Sequence, residues 1–345
     1  MRSSLRVLRW LPFIVMLGVT LADLLAGQSL VFLPLLTLGP AFASVSGGVR
    51  RTAAVGAVAL AICVPMAIYN DLLFTWANNL TVISIAGVTA ASMLASRLRL
   101  QRERELASVR QVAEAAQRVL LRPVPRRAGD LRVALSYTSA AAEARIGGDL
   151  YEVVTTPQGV RLLIGDVQGK GLAAVETAAW VLGAFREAAY DEADLGDIGD
   201  RLEASLARHL GGEQFVTAII AEIHDKEMSL VNFGHPAPLL ILSDGELHTP
   251  EPTEQGLPLG LGGFETSAPK PQRIPFGSGD RVLFFTDGVI EARNAAGEFY
   301  PLTERAWLLR RDDPQEALDS LRTDLVQHTG GPLHDDAAML LLHRP

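Results

Sequence analysis

Along the first hundred residues, apolar positions come in long unbroken runs rather than in the alternation of a half-buried strand or the stripe of an amphipathic helix. Four runs follow one another, over 10–27, 30–47, 53–69 and 80–95. Each is near the ~20 residues a helix needs to cross a bilayer. Arg2, Arg6 and Arg9 precede the first run, Arg50 and Arg51 separate the second from the third, and Arg97, Arg99, Arg102 and Arg104 follow the fourth. The other two connections, around Gln28 and from Asn70 to Asn79, hold no Lys or Arg. Positive charge on one side only predicts that side to be cytoplasmic. The expectation is a transmembrane region of four helices over 1–97, with the N-terminus and the rest of the chain inside the cell and membrane lipid as its surroundings. A cleaved signal peptide accounts for the first run alone, and buried soluble helices do not account for the one-sided arginines. Asp23 and Asp71 are expected at the water interface, with an extracytoplasmic ligand site as the alternative.

The pattern then changes twice. Residues 98–122 are charged, free of Gly and Pro, and carry Leu98, Leu106, Val109, Val112, Ala113 and Ala116 at roughly helical spacing. They predict a linker helix, either a solvated connector or a coil pairing two chains as a homodimer. Pro123 and Pro125 end it. From 123 to 345 short β-rich runs end in Gly- and Asp-rich turns. RLLIGD, FVTAIIAEI, MSLVNF, PLLIL, RVLFFTD and AAMLLL read as strands, and 171–190 and 197–210 as helices. Hairpin turns are expected at His224-Asp225-Lys226 and Ser243-Asp244-Gly245. Strands outnumber helices, so the expected class is α+β, an antiparallel sandwich flanked by helices.

Charge divides the chain at the same place. Residues 1–104 hold nine arginines against Asp23, Asp71 and Glu103, a net of +6; with the whole chain at −8, the remainder carries −14. An acidic remainder gives no basic face for nucleic acid. The single cysteine, Cys63, excludes an internal disulfide and lies in an apolar run, where a small buried side chain is expected.

The candidate chemistry lies in aspartates at strand ends. Asp166 follows RLLIG, Asp287 follows VLFFT, and Asp335-Asp336 precedes AAMLLL; Asp149, after Gly147-Gly148, is a fourth candidate. One Asp beside a Gly is ordinary turn chemistry. Several carboxylates at one sheet rim would repel unless cations lay between them, and an all-carboxylate set selects Mg²⁺ or Mn²⁺ over zinc. Two such ions ~3.5–4 Å apart would activate a water and clamp a phosphoryl group. Gly169-Lys170-Gly171 lacks the full phosphate-loop pattern and is expected to start a helix. His235 and Arg145 are weaker candidates, for general acid and for phosphate contact.

In order, these pieces resemble the PPM (protein phosphatase 2C-like) superfamily and its bacterial SpoIIE-like branch. The matching stretches are ARIGGDLYEVV, LLIGDVQGKGLAAVETAAWVLGAFREAA, FVTAIIAEIHDKEMSLVNFGHPAPLLI, GLPLGL, RVLFFTDGVIEARNAAGEFY and DDAAMLLL, running from about Arg118 to the end. The resemblance implies a PPM-type sandwich of two antiparallel sheets and a protein Ser/Thr phosphatase using two Mn²⁺ or Mg²⁺ ions. By position Asp166 matches the aspartate bridging both metals, with the Val167 carbonyl beside it. Asp287 and Asp335 match the later metal aspartates, Asp336 being a close second to Asp335, and Asp149 matches the acid of the first motif. Asp166 and Asp287 are the residues on which catalysis is expected to depend. Glu152 stands where Asp is common, Leu150 where an aromatic is common and Gln168 where Ser is usual; none of these removes a ligand.

The resemblance further implies a phosphorylated protein substrate such as an anti-sigma-factor antagonist. Two other readings stay open at this point: a phosphatase of small molecules or nucleotides, and a non-catalytic membrane receptor or scaffold with the same fold.

Overall fold

A computed structural model of the chain describes residues 2–26, 32–138, 147–209, 214–252, 256–264 and 269–345. It forms two compact units, residues 1–109 and 110–345.

In the first unit the four apolar runs all become helical, but unequally. Helix α1 spans Arg2–Ala26, α2 Leu38–Ser46, α3 Val49–Tyr69 and α4 Trp76–Leu120. Two of them, α3 and α4, are long and apolar enough to cross a membrane; the apolar part of α1 and the second run are shorter. The second run departs from a single span for a readable reason. Pro34 and Pro40 divide it, and it folds as a 3₁₀ turn over Leu33–Thr37 followed by the nine-residue α2. At 1.5 Å per residue, α2 covers about 14 Å, roughly half a hydrocarbon core.

Asp23 has a packing role. It is fully buried, accepting from Phe32 N at 2.8 Å and from Asn70 Nδ2 at 2.7 Å, so it fastens α1 to the 3₁₀ turn and to the end of α3. Asp71 is exposed. Cys63 is buried in this unit's core, as its apolar setting predicts.

The charged stretch after Arg97 continues α4 without interruption to Leu120, where the second unit's strands begin. These are β1 Arg127–Ala128, β2 Leu131–Thr138, β3 Asp149–Thr156, β4 Gly159–Val167, β5 Val216–His224, β6 Glu227–Phe233, β7 Leu239–Ile241, β8 Leu247–His248, β9 Gln272–Pro275, β10 Arg281–Phe285 and β11 Ala337–His343. Helices α5 Leu172–Asp191 and α6 Leu195–Ala207 follow β4. Helices α7 Asp287–Ile290, α8 Leu302–Arg305 and α9 Pro314–Thr329 lie between β10 and β11.

Two sheets result, in the orders β1-β2-β11-β10-β7-β8 and β3-β4-β5-β6-β9, and every pairing within them is antiparallel. The expected strands and hairpins are present; Asp225 takes the left-handed turn conformation at φ 47° that a two-residue hairpin requires. Alternation builds the layers. Val282, Phe284, Leu340 and Leu342 join Leu162, Ile164 and Leu230 in one core, while Leu283, Leu341 and Met339 turn outward to α9 and the helical turn before it.

On β4 the odd positions face α5. Arg161, fully buried, donates to the carbonyls of Ala189, Glu192 and Ala193 at the end of that helix and pairs with Glu222 at 2.6 Å. Glu152, the departure from the usual Asp, lies on the same face. It pairs with Arg186 of α5, which also donates to Leu120 O at the end of α4 at 2.7 Å.

Candidate active site

The even positions of β4 point the other way, toward the second sheet, and Asp166 is one of them. Asp149 opens β3 directly opposite Asp166 in the strand register. A like-charged pair in that position is destabilising unless something neutralises it.

The other aspartates arrive from the facing sheet. β10 runs antiparallel to β11, so the end of β10, carrying Thr286-Asp287, meets the start of β11, carrying Asp335-Asp336. Thr286 ties the two sheets together at this rim. Its Oγ1 donates to Asp149 Oδ2 at 2.9 Å and accepts from Ala338 N at 2.9 Å. Asp287 then starts α7, where the free N–H groups of the first turn favour an anion.

Glycines let the chain crowd these carboxylates. A Cβ at Gly147 would collide with the Asp336 carboxylate, one at Gly148 with the Val167 carbonyl and, at 2.6 Å, with Asp166 Oδ1, and one at Gly288 with the Asp336 carbonyl. The Val167 carbonyl therefore lies beside the Asp166 carboxylate, against the Gly148 backbone.

Electrostatics show the crowding as well. Burial first, and then the neighbouring Asp287 and Asp335, push Asp166 up to about 7. Burial and the charges of Asp166 and Asp336 raise Asp149 well above the carboxylate range, against the Thr286 hydroxyl that lowers it. Asp287 is raised by burial, then by Glu291 and Asp335. Lys170 supplies opposing charge: its Nζ donates to Asp335 Oδ1 at 2.5 Å, and it opposes the rise of both Asp166 and Asp287.

The donor set, carboxylates with one backbone carbonyl, is that of a hard divalent cation. Among the described residues, no three acidic, His or Cys side chains are yet gathered closely enough to hold an ion. The donor chemistry and the unbalanced negative charge fit such a cation. A cleft of about 230 Å³ lined by Gly288, Glu291, Arg293, Thr329, His334 and Asp335 opens beside the cluster.

His235 is not placed as a general acid. It is buried, with Nε2 3.1 Å from the Phe285 carbonyl and Nδ1 3.0 Å from Thr217 Oγ1. A carbonyl can only accept, so Nε2 carries the proton and Nδ1 accepts from the threonine. Burial pushes the ring down to about 4, leaving it neutral. Since Thr217 lies opposite Asp166 and Phe285 is two residues before Asp287, His235 braces the two strand ends that carry them. Lys170 sits on Asp335 within a turn whose Gly171 caps α5, as expected of a helix start. Arg145 falls outside the described residues.

A polar chain behind the site has no local signal in the sequence. Tyr137 on β2 donates to Asp336 Oδ2 at 2.7 Å and accepts from Gln117 Nε2, near the end of α4, at 3.0 Å; Gln117 also donates to Gly147 O at 3.3 Å. Burial and Asp336 hold the tyrosine far above its ordinary pKa, so it remains a neutral donor.

Residues 156–345, more than half of the chain, match the family described as Stage II sporulation protein E (SpoIIE). The chain belongs to the SpoIIE family. Solved structures agree on the fold. The PP2C domain of SiaA from Pseudomonas aeruginosa superposes with a TM-score of 0.60 at 16% identity, covering 70% of this chain and 98% of that one. The PP2C phosphatase domain of Bacillus subtilis SpoIIE, solved with a fragment of its regulatory domain, gives 0.51 at 15% identity over 62% of each chain. The RsbU and RsbW domains of a Mycobacterium tuberculosis protein give 0.51 at 26% identity over 62% of this chain. The match spans 59% of that protein's length. This SpoIIE-family chain thus carries a PPM-type phosphatase fold of two antiparallel sheets flanked by helices.

Proposed function

We propose that the chain is a membrane-anchored, divalent-metal-dependent protein Ser/Thr phosphatase acting on a regulatory phosphoprotein, such as an anti-sigma-factor antagonist. Its proposed organisation is a membrane region over 1–97, a linker helix over 98–122 and a phosphatase domain over 123–345. The one-sided arginines support an N-terminus and a catalytic domain on the cytoplasmic side.

The observation that carries the reading is the convergence of Asp149, Asp166, Asp287, Asp335 and Asp336 from four chain segments at one end of the sandwich, with three of them raised in pKa by burial and then by neighbouring carboxylates. In this reading Asp166 and Asp287 are essential, Asp149, Asp335 and Asp336 complete the ligand set, and the Val167 carbonyl adds a neutral donor. When bound, a pair of Mn²⁺ or Mg²⁺ ions supplies Lewis-acid activation of water and of the phosphoryl group. The chain's own contributions are positional. Thr286 orients Asp149, Tyr137 orients Asp336, and His235 fixes the strand ends under Asp166 and Asp287. The adjoining cleft receives the residues flanking the phosphorylated side chain. A regulatory partner is suggested by the 26%-identical relative, in which an RsbU domain shares the chain with an RsbW domain.

The test is phosphate release by the purified full chain in detergent with Mn²⁺, on a panel of serine-phosphorylated antagonist proteins, nucleotides and sugar phosphates. The reading predicts hydrolysis of phosphoprotein well above the other classes. Preference for nucleotides or sugar phosphates would move the activity to small molecules. No hydrolysis of any class would leave a non-catalytic scaffold.

A further inference from the structure

The second unit lies in the acidic part of the chain, yet one edge of its larger sheet is strongly basic. The strand register places Arg281 opposite His343, His343 opposite Arg132, and Arg132 opposite Arg127. Directly paired residues share a sheet face. Four basic side chains therefore cross β10, β11, β2 and β1 in one row, and Arg126 adjoins the last.

Such a row is costly, and part of it has an evident structural use. Arg281 donates to the carbonyls of Leu309 and Arg311. His343 is held neutral, its pKa lowered by burial and then by Arg281 and Arg132, and its buried Nδ1 has no hydrogen-bond partner.

The remainder has no such use. Among the described residues, Arg126, Arg127 and Arg132 have no acidic partner, whereas Arg344 nearby is paired with Asp130 at 2.7 Å. Instead, the three line a cavity of about 220 Å³ with Val133, Asp313, Pro314 and Gln315. Its far wall is the N-terminus of the 16-residue α9. Asp313 brings one carboxylate to the wall, but its Oδ1 caps the helix by accepting from Gln315 N at 2.7 Å.

Two arginines paired across adjacent strands, with a third beside them and a helix N-terminus opposite, form a concave cationic site. Guanidinium groups present forked donors that match phosphate oxygens. We propose that Arg126, Arg127 and Arg132 form a binding site for a phosphate-bearing anion, remote in sequence from the aspartate cluster and independent of the phosphatase reading. Asp312 supplies opposing charge at Arg281 and His343; the repulsion between Arg127 and Arg132 is then relieved by the ligand.

The shared chemistry is a phosphate group, supplied either by a free anion or by a lipid headgroup. The experiment is calorimetric titration of the full chain in neutral detergent, with EDTA present so that the aspartate cluster holds no metal. The probes are inorganic pyrophosphate, dihexanoyl phosphatidylglycerol and, as zwitterionic control, dihexanoyl phosphatidylcholine. The expected result is one-to-one binding of pyrophosphate or phosphatidylglycerol that weakens with salt. It should fall by roughly tenfold or more in Arg127→Gln/Arg132→Gln and be largely kept in Arg127→Lys. Pyrophosphate alone identifies a free phosphate ligand, and phosphatidylglycerol alone a headgroup. Without anion, the single variant Arg127→Gln, on an exposed two-residue strand, should unfold at a temperature no lower than wild type, because a repulsion has gone. Failure of wild type to bind either anionic probe, equal binding by wild type and the glutamine variants, or equal binding of phosphatidylcholine overturns the proposal.

Discussion

Thr286 shows how much of the site is decided by single side chains outside the ligand set. Its hydroxyl holds Asp149 from one sheet and the Ala338 amide of the other. Thr286→Val keeps the shape and removes both bonds, so Mn²⁺ affinity should fall by about 10–100-fold while the fold persists, as is typical for residues that orient ligands; calorimetric titration with Mn²⁺ checks this. The aspartates also predict an unusual pH response in the metal-free protein. Asp166 titrates at about 7 when folded, against about 3.9 unfolded. Its folded form holds the proton more tightly, so stability is full below the unfolded value and is lost as pH rises through about 7. At 1.36 kcal/mol per pH unit the loss is at most ~4 kcal/mol, less after solvent screening. His235 acts in the opposite direction. Its pKa falls from 6.5 to about 4 on folding, so its contribution is full above the unfolded value and is lost as pH falls toward 4. Asp149 and Asp287 are raised as well and add to the alkaline loss, which His235 offsets only between about 4 and 6.5. Thermal unfolding in EDTA should therefore show stability falling from pH 5 to 8, and Mn²⁺ should restore the alkaline side. An EDTA profile that rises steadily from pH 5 to 8 would show that the carboxylates are not crowded.

At the scale of elements, strands and hairpins were legible because alternation and Gly/Asp punctuation are local signals. Asp166, Asp287 and Asp335-Asp336 could be found for the same reason, each sitting at a strand end. What alternation cannot show is which partner a side chain meets. Tyr137 is an unremarked position on β2, yet it meets Asp336, 199 residues away. The role of Asp23 has no local signal either, because Asn70, its partner, lies 47 residues on. The broken second run was readable in principle, since Pro34 and Pro40 stand within it. The chain Gln117–Tyr137–Asp336 joins the end of α4 to the aspartate cluster. Tyr137→Phe should lower Mn²⁺ affinity by about tenfold or more, with Gln117→Leu acting in the same direction and more weakly. Wild-type affinity in Tyr137→Phe would show that Asp336 needs no orientation. Arg161 gives the packing counterpart. Arg161→Ala strands three carbonyls at the end of α5 and leaves Glu222 without its pair, so urea unfolding should report a loss of about 3–5 kcal/mol.

For the whole molecule, the apolar first unit and the acidic second one call for different solvents. α3 and the apolar part of α4 are suited to a bilayer by length and composition. The full chain should therefore stay with the membrane fraction after alkaline carbonate extraction, whereas a chain released by carbonate would be peripheral.

In the proposed function, the aspartates gathered from two sheets work as one metal-dependent site. The most direct test is a Mn²⁺ titration of phosphoprotein hydrolysis by the full chain, starting from EDTA-treated protein, beside Asp166→Asn and Asp287→Asn. A shared metal site should give no activity in EDTA, saturable activation by Mn²⁺, and loss of more than about a hundredfold in each variant with folding intact, beyond what a supporting residue costs. Metal-independent hydrolysis, or Asp166→Asn turning over phosphoprotein at the wild-type rate, would contradict it.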